Sequence, residues 1–343
     1  MSTKIKKNPK VAVIGATGMV GRELIAILEE RNFAVAQLDL FASTRSHGEK
    51  IEFRGEDLDV IPLTSADQIQ ADLAFFGAGA KVSIDYIDKL AAKGVICIDK
   101  SSAYRMRPDV PLIVPEVNGA ELKKKQYSII ASPNCVATPL VQVLAPLKKL
   151  SALEQVVVSS YQAVSGAGKE ASDELESQVR DLFNMREPKK DIFGKQIAFN
   201  VLPFIPARGP VDGLGKTDEE AKLIAETKKI LSLPDLNMEA TCVRVPVFNG
   251  HSLSATIATK DPITIEDVLD IFGKSPGLVL IDNPSKQSYP TPLDACGEDV
   301  TLVGRIRPNT SSKHGITLWV SCDNLRGGAA LNAVRIAEQL VLE

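Results

Sequence analysis

The sequence predicts an α/β fold in two parts: an N-terminal Rossmann-like, doubly wound parallel sheet and a second, α+β domain, with the C-terminal helix returning to the first. Three observations carry this. Residues 11–14 (Val-Ala-Val-Ile) form a buried-strand run that leads at once into Gly15-Ala16-Thr17-Gly18-Met19-Val20-Gly21 and then into helical periodicity over 22–31. Strand-like and helical stretches keep alternating as far as Asp99. At 343 residues the chain is also too long for one comfortable core. The expected divisions are 1–133, 134–322 and 323–343.

In chain order, the glycine turn comes first. Its glycines allow a tight turn and close backbone approach to a pyrophosphate, whose charge the N–H groups at a helix start would meet. The spacing is G-x-x-G-x-x-G, and Gly15, Thr17, Gly18, Met19 and Val20 are its candidate contacts. Residues 33–41 read as the second strand. An Asp or Glu near the end of that strand would suit the ribose hydroxyls of NAD, but here Ser43-Thr44-Arg45-Ser46 follows. An arginine between hydroxyls suits a 2′-phosphate, so NADP(H) is the expected cofactor, with Ser43, Arg45 and Ser46 around the phosphate. Residues 72–77, 82–93 and 95–99 continue the alternation. Arg105 follows a strand end, the edge where open α/β sheets bind ligands, and is a candidate anion clamp.

Residues 127–131 read as a short buried strand and 140–150 as a helix, which leaves Ser132-Pro133-Asn134-Cys135 between them. Ser132 or Asn134 could supply cap oxygens. A helix start favours negative charge and so raises the thiolate fraction of a nearby cysteine. From position alone, a packed structural thiol and a reactive thiolate both fit Cys135. Residues 156–163 read as a strand of the second domain leading into Ser165-Gly166-Ala167-Gly168, followed by an acidic helix over 172–183. Residues 185–215, rich in Pro, Gly and basic groups, read as a long connection. A helix is expected over 218–231, with Glu219 and Lys222 sharing a face as an ion pair. His251 stands beside a glycine and an arginine-bearing strand, where imidazole is the group best suited to proton transfer near neutrality. The small residues Gly327-Gly328-Ala329-Ala330 open a last helix over 331–342 and would let it pack beside the cofactor turn.

Composition excludes several classes. A net charge of −3 advertises no nucleic-acid or membrane partner. Five cysteines without C-x-x-C spacing support neither a disulfide framework nor a zinc ribbon, and no metal is expected. Without a signal-like segment or a long apolar run, a cytoplasmic enzyme is expected.

Together, Gly15-Ala16-Thr17-Gly18-Met19-Val20-Gly21, Ser132-Pro133-Asn134-Cys135, Tyr161-Gln162-Ala163-Val164-Ser165-Gly166-Ala167-Gly168, Arg244-Val245-Pro246-Val247 with His251, and Gly327-Gly328-Ala329-Ala330-Leu331-Asn332-Ala333 occur in the order of one family. The chain resembles the bacterial aspartate-β-semialdehyde dehydrogenases along essentially its whole length. The resemblance implies NADPH-dependent reductive dephosphorylation of L-aspartyl-4-phosphate through a cysteine thioester, on the route to lysine (by way of diaminopimelate), methionine and threonine. It implies Cys135 as nucleophile, His251 as acid/base and Gln162 orienting the acyl group. Arg244 would bind the α-carboxylate and Glu219 the amino group, with Arg105, Asn134 and Lys222 at the phosphate. Ser165, Gly166 and Asn324 would join the cofactor contacts, inorganic phosphate would be the co-substrate or product, and the second domain would be catalytic and dimerising, giving a homodimer or a dimer of dimers. The spacing from Cys135 to Arg244 fits the shorter form of the family. N-acetyl-γ-glutamyl-phosphate reductase is the alternative, disfavoured because an acidic Glu219 suits a free ammonium and not an acetamide. A glyceraldehyde-phosphate dehydrogenase-like activity fits the Cys135 segment less well, and a non-catalytic NADP-binding protein would have no use for Cys135, Gln162, Arg244 and His251 together.

Overall fold

The structure, a computed structural model, describes residues 4–205, 213 and 215–341. They group into two compact units: one runs to Asn134 and resumes at Ala329, and the other runs from Cys135 to Gly328.

The first unit holds β1 (Lys10–Ile14), α1 (Met19–Glu30), β2 (Gln37–Ala42), β3 (Lys50–Phe53), β4 (Glu56–Pro62), β5 (Leu73–Phe76), α2 (Ala80–Ala92), β6 (Ile96–Asp99), α3 (Pro115–Asn118) and β7 (Ile129–Ala131). Its sheet runs β3-β4-β2-β1-β5-β6-β7. Every pairing is parallel except β3–β4, where Arg54 (φ 56°) and Gly55 (φ 80°) make a tight hairpin turn. The central strands are buried on both faces, β5 along its whole length, as helices on either side require. β1 lies between β2 and β5, so the chain switches direction across the sheet at the end of β1, where ligands bind in this architecture.

Two boundaries differ from expectation. α1 begins at Met19 rather than residue 22, because Gly18 serves as its N-cap and the glycine motif forms its first turn. β2 begins at Gln37 rather than 33: Asn32 (φ 50°) turns the chain out of α1, and the Phe33 N–H closes the helix on Leu28 O at 2.9 Å. The last helix, Leu331–Leu340, belongs to this unit. Glu338 receives both Nε and Nη2 of Arg31 at 2.6 and 2.9 Å. Asn332 Nδ2 donates to Ser132 Oγ (2.8 Å) and Ile113 O (3.0 Å), which ties the helix to the segment after β7.

The second unit holds α4 (Ala137–Leu150), β8 (Leu153–Gln162), α5 (Lys169–Phe183), α6 (Asp218–Leu231), β9 (Asn237–Arg244), β10 (His251–Thr259), α7 (Ile265–Gly273), β11 (Leu278–Leu280), α8 (Pro292–Ala295), β12 (Thr301–Pro308) and β13 (Gly315–Cys322). Its mixed sheet runs β11-β12-β13-β10-β8-β9. Helices α4, α6 and α7 pack on it, while Val157 and Tyr161 of β8 stay exposed and the Tyr161 and Trp319 rings meet at 5.2 Å. The expected connection over 185–215 falls partly outside the described residues, at 206–212 and 214. Its described part is tied to α5: buried Glu174 accepts the Ile192 N–H (2.6 Å), and Gln178 accepts those of Ile197 (2.8 Å) and Ala198 (3.0 Å).

Candidate active site

In the first unit, β1 delivers the chain to Gly15, whose φ of 90° turns it sharply; the Gly15 and Ala16 N–H groups both donate to Phe41 O of β2. Gly21 is required for a different reason. A Cβ there would stand 2.1 Å from Gly15 O, so α1 approaches the turn only as glycine allows. The first N–H groups of α1, at Met19 and Val20, then have no intrahelical acceptor. Thr17 Oγ1 and Ser46 Oγ meet at 3.0 Å, bringing two expected contacts together from different loops, and Ser43 and Arg45 are exposed beside them. A cradle closed by glycines, an open helix start and an exposed arginine next to a hydroxyl pair fit a dinucleotide bearing a 2′-phosphate.

Arg105, on the loop after β6, is buried: Nε donates to Ser132 O (3.0 Å) and Nη2 to Lys100 O (2.6 Å). Lys100 Nζ donates to Pro133 O at 2.5 Å. Two cations thus gather on the backbone carbonyls that precede Asn134, and Lys100 is one that the sequence reading did not single out.

The second unit opens on Cys135, two residues before α4. Val136 holds the N-cap position and cannot cap with its side chain, while Ser132 is engaged with Asn332, so the side-chain cap expected from Ser132 is not made. Cys135 Sγ lies 3.3 Å from His251 Nε2. His251 opens β10 fully buried, and its Nδ1 accepts the Ala163 N–H at 3.0 Å. Arg244, at the end of β9, donates from Nη1 to Ala163 O at 2.5 Å, whereas its buried Nε has no hydrogen-bond partner among the described residues. Burial draws the His251 pKa well below its ordinary value, and the Arg244 charge lowers it further. Burial also lowers Arg244, opposed by Cys135 and Glu219. The other four thiols are all held up, first by burial, Cys242 to about 12. Of the five thiols, Cys135 is the one that meets an imidazole nitrogen.

Gln162, next to Ala163, is buried, and its amide donates to Ser160 Oγ (3.2 Å) and Glu219 Oε1 (3.4 Å) rather than to Cys135. Lys222 makes the expected pair with Glu219 at 4.0 Å and shares its charge with Asp218, closer at 2.7 Å and one turn earlier on α6. Glu219 also accepts from the Gln162 amide. Ser165 and Asn324 are both buried and joined by Asn324 Nδ2 donating to Ser165 Oγ at 3.0 Å, while Asn324 Oδ1 accepts the Gly250 N–H at 2.9 Å, just before His251. Their side chains hold the loop that presents the imidazole. Gly166 lies against Arg244 and His251.

The closing glycines are also placed differently from expectation. A Cβ on Gly328 would come within 2.9 Å of Cys135 O, so Gly328 packs against the cysteine; Ala333 is the small residue that borders Val20 and Gly21. Asp323 was missed. Its carboxylate accepts the N–H groups of Leu325 and Arg326 and of Gly297, each at 2.9 Å, and fixes the turn that carries Gly328. An Asp-Asn pair directly after a strand was the available signal for such a turn. Among the described residues no three His, Cys, Asp or Glu side chains are grouped to hold a metal ion, and no helix is long and apolar enough to cross a membrane.

Two family models match the chain: the NAD-binding domain of semialdehyde dehydrogenases over residues 10–125 and their dimerisation domain over 144–327. The aspartate-semialdehyde dehydrogenase of Aquifex aeolicus is 45% identical over 337 residues, covering 97% of this chain and 98% of its own. That of Bacillus subtilis is 44% identical over 338 residues, covering 96% of each. Aspartate semialdehyde dehydrogenase II of Vibrio cholerae, a solved structure, superposes with a TM-score of 0.91 at 40% identity over 97% of this chain and 98% of its own; the same enzyme has also been solved in complex with ASA. The Candida albicans enzyme, solved with NADP, gives 0.74 at 25% identity, covering 97% of this chain and 98% of its own. The chain belongs to the semialdehyde dehydrogenase family.

Proposed function

We propose that the protein is an NADP-dependent, phosphorylating aspartate-semialdehyde dehydrogenase, converting L-aspartyl-4-phosphate to L-aspartate 4-semialdehyde. The observation that carries this is the group of Cys135, His251 and Arg244, in which a thiol 3.3 Å from an imidazole stands beside a guanidinium with an unused Nε. With Nη1 committed to Ala163 O, the Nε–Nη2 edge of Arg244 is the one left to take a carboxylate in bidentate fashion. Glu219, half-turned to Gln162, supplies the acceptor for the substrate ammonium, which an acetylated amine would not need.

The Cys135 thiolate attacks the acyl carbon, the bond to the phosphate oxygen breaks, and a thioester forms on Sγ. Arg105, Asn134 and Lys222 receive the phosphate. The first N–H groups of α4 meet the oxygen that gains negative charge. Gln162 orients the acyl group. Gly15, Thr17, Gly18, Met19, Val20, Ser43, Arg45 and Ser46 hold NADPH, with Ser165, Gly166 and Asn324 completing its contacts; when bound it supplies the hydride that reduces the thioester. The chain works in the cytoplasm as a homodimer, for which the dimerisation-domain match and the face carrying exposed Val157 and Tyr161 beside half-buried Trp319 give support. Residues up to Asn134 together with those from Ala329 serve as the cofactor domain, and Cys135 to Gly328 as the catalytic domain.

The test is NADP⁺ reduction with L-aspartate semialdehyde, with and without inorganic phosphate, beside N-acetylglutamate semialdehyde. Phosphate-dependent turnover of the first aldehyde alone is expected. Turnover of only the acetylated aldehyde would refute the substrate assignment, and no turnover of either would refute the activity.

A further inference from the structure

We propose that Asp323 is the positioning residue of the Cys135–His251 pair, a single buried carboxylate that fixes the sulfur side with one oxygen and the imidazole side with the other. The inference takes its chemistry from the reading above and leaves the roles given there to both residues unchanged. Asp323 directly follows β13 and is 4% exposed. Its Oδ1 accepts the N–H groups of Leu325 and Arg326, and its Oδ2 accepts the Gly297 N–H and Asn249 Nδ2, all four at 2.9 Å. An ionised carboxylate offers about four acceptor sites and no donor. Each oxygen thus takes two N–H groups, which meet the buried charge in place of water.

The two oxygens serve different sides of the pair. On the Oδ1 side, the two N–H contacts and the Gly328 N–H on the Asp323 carbonyl (2.8 Å) close the turn over 323–328, and Gly328 is the residue packed against the Cys135 carbonyl. On the Oδ2 side, Asn249 stands two residues before His251. Because Asp323 can only accept, the Asn249 amide must turn Nδ2 to it, which leaves its Oδ1 for the Ser165 hydroxyl at 3.1 Å. Gly250 follows with a φ of 90°, and a Cβ there would stand 2.7 Å from Pro292 O, so the turn into His251 rests on the start of α8. The Gly297 contact holds the far end of that same segment. Both sides of the 3.3 Å contact between Cys135 Sγ and His251 Nε2 are therefore referred to one carboxylate. Asparagine has the same shape but would turn an Nδ2 toward the two N–H groups that Oδ2 now accepts.

Arg244 lies outside this network, anchored at the end of β9 on the Ala163 carbonyl. Loosening Asp323 should therefore disturb reaction at sulfur more than capture of the substrate carboxylate. Such a split between kcat and KM is what a positioning residue produces and a general loss of folding does not.

The experiment is the pH profile of Cys135 alkylation by iodoacetamide, read by mass spectrometry of the Cys135 peptide, in the full chain as wild type, Asp323→Asn, Asn249→Ala, and the exchange Asp323→Asn with Asn249→Asp. The exchange restores a donor and an acceptor between the two positions with the charge on the other partner. In Asp323→Asn and Asn249→Ala the midpoint should rise, because a thiolate held less closely by its neighbours forms at higher pH, and the exchange should bring it back toward wild type. With L-aspartate semialdehyde, kcat of Asp323→Asn should fall about ten-fold or more, since a misplacement of about 1 Å can cost about 10²-fold, with KM nearly unchanged. Alkylation needs no substrate, so its outcome is independent of whether aspartate semialdehyde is turned over. Asn249→Ala removes one of the four contacts to the carboxylate and keeps the test alive where Asp323→Asn does not fold. An unmoved profile in Asn249→Ala would overturn the proposal. So would an exchange variant of wild-type melting temperature whose profile and kcat stay at the Asp323→Asn values.

Discussion

Adding one methyl group at Gly166 probes the packing around the Arg244 and His251 side chains. An ideal Cβ at that position would stand 3.1 Å from Arg244 Nη1 and 3.1 Å from both Cε1 and Nε2 of His251. Contacts of this kind relax at about 3.5 Å or more, so the two neighbours must give by roughly 0.4 Å. Neither does so cheaply. His251 is fully buried and hydrogen-bonded at both nitrogens, and Arg244 is anchored on the Ala163 carbonyl. Gly166 itself has no left-handed φ, so alanine brings no backbone strain, and the overpacking should cost about 1–3 kcal/mol of stability. The ring and guanidinium shift relative to Cys135 by several tenths of an ångström. Since a misplacement of about 1 Å can cost about 10²-fold, Gly166→Ala should lower kcat by roughly ten-fold or more. Steady-state kinetics with L-aspartate semialdehyde, together with the NADPH dissociation constant from fluorescence titration, separates the possibilities. A wild-type kcat would refute the packing argument, and a weakened cofactor with kcat preserved at saturation would mean that Gly166 serves the NADPH contact alone and not the placement of the ring.

Gly21→Ala should abolish NADPH binding and lower the melting temperature, because its Cβ would fall 2.1 Å from Gly15 O and α1 would have to withdraw from the turn; thermal shifts with and without NADPH check this. Arg45→Ala should cut the preference for NADP over NAD by about ten- to 100-fold in kcat/KM, the worth of a charged hydrogen bond to phosphate, with turnover on NAD nearly unchanged; equal losses with both cofactors would remove Arg45 from the 2′-phosphate site. His251 also predicts acid sensitivity. Its folded pKa is depressed, so below about 6.5 the unfolded chain binds a proton that the folded chain does not, and stability falls as pH drops by about 1.4 kcal/mol per unit. Denaturant titrations at pH 7 and pH 5 should show this extra loss in the wild type and not in His251→Gln.

The first unit was legible because local chemistry specifies it. A strand, a glycine-spaced turn and a helix in succession require a backbone proximity that only glycine permits at Gly15 and Gly21, and Arg45 between hydroxyls is a local departure from the acidic NAD signature. α6 was legible to the residue, since Thr217 and Glu220 form a capping box at its start and Ser232 (φ 54°) ends it. What escaped was the set of contacts closed by chain segments far apart in sequence. Cys135, Ala163, Arg244 and His251 meet through hydrogen bonds that span up to 116 residues, and no window of sequence says which side of an imidazole a distant N–H will face. The same holds for the closer of Lys222's two partners on its own helix, Asp218 rather than Glu219. It holds again for Gly328, whose smallness was visible but whose neighbour, Cys135, was not.

The position of Ala163 explains why the carboxylate-binding and sulfur-activating groups depend on each other. β8 ends at Gln162, and the next residue turns both of its backbone polar groups inward, the N–H to His251 and the carbonyl to Arg244. Those groups are buried and must be satisfied, so the two side chains are held there for folding reasons even before any substrate arrives. Burial first, and then the positive charge held beside it, keep the imidazole neutral, while the sulfur gains a cation nearby. On the proposed reading one guanidinium orients the substrate through its Nε–Nη2 edge and adds to burial in keeping the histidine uncharged, with the sulfur of Cys135 nearby. Lysine could reproduce the charge but not a fork that holds Ala163 O with one arm and a carboxylate with the other.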